Sequence, residues 1–200
     1  MQKRKLLFYA VATPLLGLIT VSAGIGLAAS YAGWSFNDTT CMPIGFYQRG
    51  PVPRHLKVGD RVFFCPPVTG PAMHQAITAR WLSFAPHGKW DCADHLMPFM
   101  KFVVALPGQT VDVTKKGVIA NGKILPNSKV VTSIWDGKLK VIHLPYGKYT
   151  VPKGMFWEYA PGNKAYTSAY YGPVPEKNIL GSIHPVPFLT IPGSQYWLKQ

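Results

Sequence analysis

Acidic side chains are scarce: eight Asp and Glu in 200 residues, against 21 Lys and Arg, with charged residues of both signs making up only 14% of the chain. Soluble domains usually carry about 25% charged residues, so a wholly cytosolic protein is a poor fit. The few acids show no pairing at useful spacing, which argues against carboxylate-pair chemistry. A Gly-rich phosphate loop, a His-Asp-Ser order and an internal repeat are also missing. The nineteen Gly and nineteen Pro follow no period, which excludes collagen and long helical bundles and favours short strands joined by turns. Basic charge with interspersed aromatics suits nucleic acid, but beyond the N-terminus the cations are dispersed. They fit an anionic lipid surface or an exported partner better, and no nucleic-acid partner is expected. What is abundant is apolar surface, 48% hydrophobic with 13% aromatic, enough for a packed core and too much for a disordered chain.

From Leu6 to Trp34 there is no charged residue, and about 20 apolar residues cross a hydrocarbon core. Residues 1–5 carry Lys3-Arg4-Lys5, which the positive-inside rule keeps in the cytoplasm, so residues 6–34 are expected to be a transmembrane signal anchor and residues 35–200 an extracytoplasmic domain. Gly17, Gly24 and Gly26 suit a membrane helix better than a soluble one. A cleaved signal peptide is the alternative, with Ala28, Ala29 and Ser30 resembling a processing site, although the apolar run exceeds an ordinary signal core. On either reading the remainder is exported, into the periplasm.

Export makes disulfides permissible. Cys65 and Cys92 flank 26 residues that read as helical between Met73 and Phe84, and closing that loop is worth roughly 3–4 kcal/mol on the chain-entropy model. The rival is a metal site from His87, Cys92 and His95 with Asp91 and Asp94 beside them, but no second pair completes a tetrahedral set. No metal or other cofactor is expected. Cys41 is left as the odd thiol, and an odd thiol in an exported protein is a candidate for reactivity.

Beyond Trp34 the pattern is mostly strand. A patch from Met42 to Tyr47, the run Arg61-Val62-Phe63-Phe64 ended by Pro66 and Pro67, and the buried-looking Phe99–Ala105 precede Val111–Val113 and Val118–Ala120, with Asn121-Gly122 as a hairpin signal. Alternation continues from Ser128 to Val151. Gly154–Tyr159 reads as another buried strand, 160–172 as a polar loop and Ile179–Val186 as a last strand. The fold class is therefore mainly β, an antiparallel domain with a small helical insert at 65–92, preceded by one transmembrane helix.

One nucleophile and one amine stand out: Cys41 in Thr39-Thr40-Cys41-Met42-Pro43-Ile44-Gly45, and Lys101 in Lys101-Phe102-Val103-Val104-Ala105-Leu106-Pro107-Gly108. A lysine accepts a proton only when neutral, which asks its affinity to fall from about 10.4 toward 7–8 by desolvation. Phe99, Phe102, Val103 and Val104 supply the apolar setting. Pro43 fixes φ two residues after Cys41 and helps set the turn that bears it. In these segments the chain resembles the S26 signal peptidases, most closely the TraF-type peptidases of conjugal transfer systems. Their Ser-Met-Pro-x-Gly box carries the nucleophile, and their Lys-x-Val-Val-x-Leu-Pro-Gly box carries the base. The likeness continues through Val58–Val62, Asn121-Gly122-Lys123, Tyr171–Pro175 and Ile179-Leu180-Gly181, and a cysteine pair bracketing the insert also looks like the TraF-type branch.

The resemblance implies a membrane-anchored endopeptidase that removes the leader or propeptide of an exported substrate, a conjugative pilin precursor above all. It implies Cys41 and Lys101 as the catalytic dyad, and the Cys41 N–H with the Thr39 hydroxyl as oxyanion donors. Its partners would be the prepilin or preprotein, the inner membrane and the conjugative secretion machinery. Two departures stand against a simple copy. Cys41 takes the place of serine, and a thiol can instead pair as thiolate with a lysine ammonium. In the late loop Thr167 replaces an aspartate and Ala169 an arginine, which weakens the case for pilin cyclisation and leaves Thr167 and Ser168 as candidate hydroxyl partners of Lys101. A catalytically weak scaffold for pilus assembly is the reading from another class.

Overall fold

The computed structural model describes residues 2–31, 33–85, 92–163 and 165–194; for residues 2–11, 25 and 28–31 it describes the backbone alone. The chain forms two compact units, residues 1–35 and 36–200. The first is built on one helix, α1 (Gln2–Tyr31), with Pro14 inside it. Its side chains are described for 12–24, 26 and 27. Among the described residues no helix is long and apolar enough to cross a membrane.

The other helices are α2 (Pro71–Thr78) and the single turn α3 (Ser168–Tyr171). The strands are β1 (Trp34–Asn37), β2 (Ile44–Arg49), β3 (Arg61–Phe64), β4 (Phe99–Ala105), β5 (Thr110–Thr114), β6 (Gly117–Ala120), β7 (Lys123–Ile124), β8 (Ser133–Ile134), β9 (Leu139–Lys140), β10 (Gly147–Thr150), β11 (Met155–Tyr159), β12 (Val174–Pro175) and β13 (Ile179–Ile191). One sheet has the order β1-β2-β13-β3-β4-β11-β12, a second β10-β5-β6-β7, and β8 pairs with β9. The domain is thus mainly β with antiparallel pairing and few helices, as the strand-and-turn pattern predicts.

Strand β4 is central, with every position buried or half-buried. Val103, Val104 and Ala105 are all buried, and β4 pairs with β3 on one side and β11 on the other. Val62, Phe64, Val103, Phe156 and Val174 form one apolar cluster across these strands. A second, larger cluster joins the two larger sheets through Val111, Val113, Trp157 and Tyr170. Asn121 (φ 52) and Gly122 (φ 73) both take left-handed conformations between β6 and β7, the backbone that an Asn-Gly hairpin turn requires.

Three expectations need adjustment. The insert helix does not reach Phe84: it stops at Thr78, where Arg80 adopts φ 57 and the Trp81 and Arg80 N–H groups bond back to Ala76 and Ile77, a Schellman ending without its usual glycine. The polar loop at 160–172 is largely buried and contains α3. The last strand runs five residues past Val186, with an irregularity in its pairing to β2 between Pro185 and Thr190.

Candidate active site

Cys41 sits in the turn between β1 and β2, and Asn37 holds that turn. Its buried Nδ2 donates to the carbonyls of Thr39 (2.9 Å), Met42 (3.0 Å) and Pro43 (3.0 Å), while its Oδ1 accepts from the Thr39 N–H and hydroxyl. Tyr47 donates its hydroxyl to the Pro43 carbonyl; burial pushes that phenol up to about 12, so it remains a donor through the neutral range. From the far end of the chain, Ser194 accepts the Ile44 N–H. The half-buried Cys41 is the free cysteine of the domain.

Lys101 lies on β4 opposite Val62 of β3 and is only 4% exposed. Its Nζ stands over the Phe99 ring, 5.3 Å from its centre. Cys41 and Lys101 line one cleft of about 460 Å³. Asn37, Asp38 and Thr39 form its rim on the nucleophile side. Trp81, Phe84, Met97, Pro98, Phe99 and Tyr166 give it an apolar wall.

Under the lysine is a residue that motif reading overlooked. Glu158 on β11 is fully buried and pairs with Val103, which places it diagonally across the ladder from Lys101. Tyr171 of α3 donates its hydroxyl to Glu158 Oε1, and the Glu158 N–H bonds to Ser168 Oγ. Oε2 has no hydrogen-bond partner. Burial pushes the Glu158 carboxyl up, with Lys101 and the Tyr171 and Ser168 hydrogen bonds pulling the other way. Tyr171 is raised well above its ordinary range, by burial first, then by Glu158, with Cys41 also contributing. Cys41, Lys101, Glu158 and Tyr171 therefore share one electrostatic neighbourhood. The signal available in the sequence was a lone acid inside the apolar strand Met155–Tyr159, in a chain with only eight acids. Asn37, an amide two residues before Thr39, was overlooked in the same way.

Of the other expected residues, Thr39 lines the cleft with its hydroxyl turned toward Asn37. Ser168 is engaged with the Glu158 backbone, and Thr167 lines a separate small pocket with Ser128, Tyr159 and Tyr170. Cys65 and Cys92 form a disulfide, which leaves Cys92 no thiolate for a metal; His87 and Asp91 lie outside the described residues.

The chain is similar to several known proteins. The chain is 32% identical over 184 residues to a conjugal transfer protein TraF of Agrobacterium tumefaciens (strain 15955), covering 92% of this chain and 96% of that one. It is 34% identical over 172 residues to a probable conjugal transfer protein TraF of Sinorhizobium fredii, covering 84% and 85%. A plasmid transfer protein TraF of Escherichia coli matches at 28%, over 80% of this chain and 85% of that one. Among solved structures, a signal peptidase I from Enterococcus faecalis aligns with a TM-score of 0.35 at 16% identity, over 64% of this chain and 97% of that one. The family model for signal peptidase, peptidase S26, matches residues 7–187, a span that contains both the cysteine turn and the buried lysine, and the chain belongs to that family.

Proposed function

We propose that this protein is a membrane-anchored endopeptidase of conjugal transfer, with Cys41 as nucleophile and Lys101 as its proton partner. Its substrate would be the leader or propeptide of an exported protein, a conjugative pilin precursor. The observation that carries the reading is the shared cleft. A reactive-type thiol and a buried amine, 60 positions apart in the chain, line a single groove whose apolar wall suits an extended peptide. The relatives named for conjugal transfer supply the biological setting.

The oxyanion would be held by the Cys41 N–H, with the Thr39 hydroxyl swinging from Asn37. Ser168 and Thr167 act on Lys101 at one remove, Ser168 by fixing the Glu158 backbone and Thr167 by starting the helical turn that carries Tyr171. Hydrolysis of the acyl-enzyme by water gives a trimmed substrate, and attack by a substrate amine would give a ring.

An anchor in the inner membrane with the domain in the periplasm rests on sequence and exposure together. Residues 6–34 carry no charge, and Lys3-Arg4-Lys5 precedes them. Within α1, Leu15, Leu16, Leu18, Ile19, Val21 and Leu27 are all exposed, an apolar surface that water does not favour. The disulfide fits an oxidising compartment.

The test is incubation of a pilin precursor with wild type, Cys41→Ala and Lys101→Ala. Cleavage by wild type alone supports the dyad. Equal processing by all three removes it. Failure of wild type to cleave, with a sluggish Cys41, favours the scaffold reading. Mass spectrometry of the product separates trimming from cyclisation, since a ring has lost one further water.

A further inference from the structure

The buried carboxylate at 158 has no place in a nucleophile–lysine dyad of the ordinary kind. A serine nucleophile needs a neutral lysine, and an acid beside the amine favours the ammonium instead. Here the acid is built in. Glu158 pairs with Val103, and Val103 and Lys101 lie two apart on β4, on one face. Diagonal neighbours across an antiparallel ladder are within reach when one side chain is long. Tyr171 takes up Oε1 and leaves Oε2 enclosed and unpartnered. Leaving such an enclosed atom without a partner is costly, more so if it is charged. That cost is hard to explain on packing grounds, because the rest of the cluster around Val103 is aliphatic and aromatic.

We propose that Glu158 is a positioning carboxylate that holds Lys101 as an ammonium facing Cys41, so that the site operates as a thiolate–ammonium pair. This rests on the peptidase reading for its substrate, though not for its electrostatics. Cysteine at position 41 and glutamate at 158 then belong together: a thiolate forms readily beside an ammonium, whereas a serine alkoxide does not. The titratable groups that face Glu158 are Lys101 from β4 and Tyr171 from α3, with Ser168 of α3 hydrogen-bonding beside them, and Cys41 acts on Tyr171 in turn. Arg61 of β3 is engaged over the Phe102 ring.

The chemistry balances without a neutral lysine at the start. The Cys41 thiolate attacks the scissile carbonyl carbon, forming the S–C bond and moving the carbonyl electron pair onto oxygen. Collapse re-forms the carbonyl and breaks the C–N bond, the leaving amine taking a proton from the Lys101 ammonium. The now neutral Lys101 accepts a proton from water, whose hydroxide attacks the thioester. Breaking of the C–S bond releases the acid and restores thiolate and ammonium.

The test uses the full chain in detergent with its disulfide intact, so that iodoacetamide reports Cys41 as the free cysteine. Alkylation rate is followed against pH for wild type, Lys101→Ala, Glu158→Gln and Glu158→Asp. The expected result is that Lys101→Ala moves the midpoint up by about one unit or more, as loss of a neighbouring opposite charge does. Glu158→Gln should move it in the same direction, and Glu158→Asp should return it part of the way. A Glu158→Gln profile that coincides with wild type, or lies below it, overturns the proposal. So does a Lys101→Ala profile that does not move. If Glu158→Gln does not fold, Tyr171→Phe, which frees Oε1 and keeps the charge, must leave the midpoint within the wild-type to Lys101→Ala interval, and a value above that interval overturns the proposal. Precursor cleavage, scored separately, reports on the peptidase reading alone. There, Cys41→Ser should be poorly active and should gain about tenfold when combined with Glu158→Gln, the gain expected from about one unit of relief on the lysine.

Discussion

Gly162 packs directly on the peptide that joins Thr40 to Cys41. A Cβ at Gly162 would lie 1.7 Å from the Thr40 carbonyl oxygen and 2.7 Å from the Cys41 Cα, and the Gly162 N–H donates to the Cys41 carbonyl at 3.2 Å. The nucleophile turn is thus held from beneath by bare backbone. Gly162→Ala must push that turn aside, because the obstruction is main chain and not the end of a flexible side chain. The expected cost is about 1–3 kcal/mol in stability, typical of overpacking, with a much larger loss of Cys41 alkylation rate and of precursor cleavage. Thermal melts and iodoacetamide kinetics on the same sample check it; unchanged Cys41 kinetics would mean that the turn tolerates the shift.

Asn37 fixes the same turn from inside. Its amide satisfies three carbonyls and two Thr39 donors at once, so Asn37→Ala leaves several enclosed polar groups without partners. The cost expected is about 1–3 kcal/mol in unfolding free energy, read as a lower urea midpoint at unchanged slope. Asn37→Asp keeps the acceptor for Thr39 but loses every Nδ2 donor and turns a carboxylate toward carbonyls. It should be no better than alanine for cleavage, and rescue by Asp would show that only the Thr39 contacts matter.

Much of this was legible from local rules. The β6–β7 turn followed from Asn121-Gly122, and β3 and β4 from apolar runs closed by prolines. Cys41 and Lys101 were found because their flanking residues form boxes of a shape that resembles a family. The rest depended on information that no window of sequence holds. Arg80 ends α2 in a left-handed conformation that glycine would have announced and arginine does not. The stretch 160–172 looks polar, yet its Ser168 and Tyr171 hydroxyls are spent on Glu158 of β11, and those of Tyr166 and Tyr170 on Ala72 and Val131. Glu158 is invisible as a functional group until the ladder sets it opposite Val103. Asn37 reads as one more turn residue until the chain folds back over it.

The disulfide is expected to matter to substrate binding more than to the thiol. The segment that it closes, with Cys65 and Cys92 27 positions apart, supplies Trp81, Leu82, Ser83 and Phe84 to the cleft wall, while Cys41 and Lys101 come from elsewhere. Removing the link with Cys65→Ala and Cys92→Ala together should lower stability by roughly 3–4 kcal/mol on the chain-entropy model. It should also raise KM for precursor while leaving the Cys41 alkylation profile near wild type. Steady-state kinetics against a melting curve separate the two effects, and a KM that does not change would detach the insert from substrate recognition.

Glu158 also sets a pH dependence of stability. The ordinary glutamate value is 4.5, and burial raises it in the folded protein, with Lys101 partly opposing that rise. A carboxyl raised on folding binds its proton more tightly in the native state than in the unfolded chain. Stability therefore falls as pH climbs from the unfolded value through the folded one, and below the unfolded value the penalty is absent. Glu158→Gln keeps an acceptor for the Tyr171 hydroxyl and cannot ionise. Relative to wild type, its melting temperature should gain steadily as pH rises above about 4.5 and level off once Glu158 is fully ionised. Thermal melts of both proteins across the acidic to neutral range check this, and two curves that run parallel throughout would mean that the carboxyl at 158 carries no net proton-linked cost in the fold.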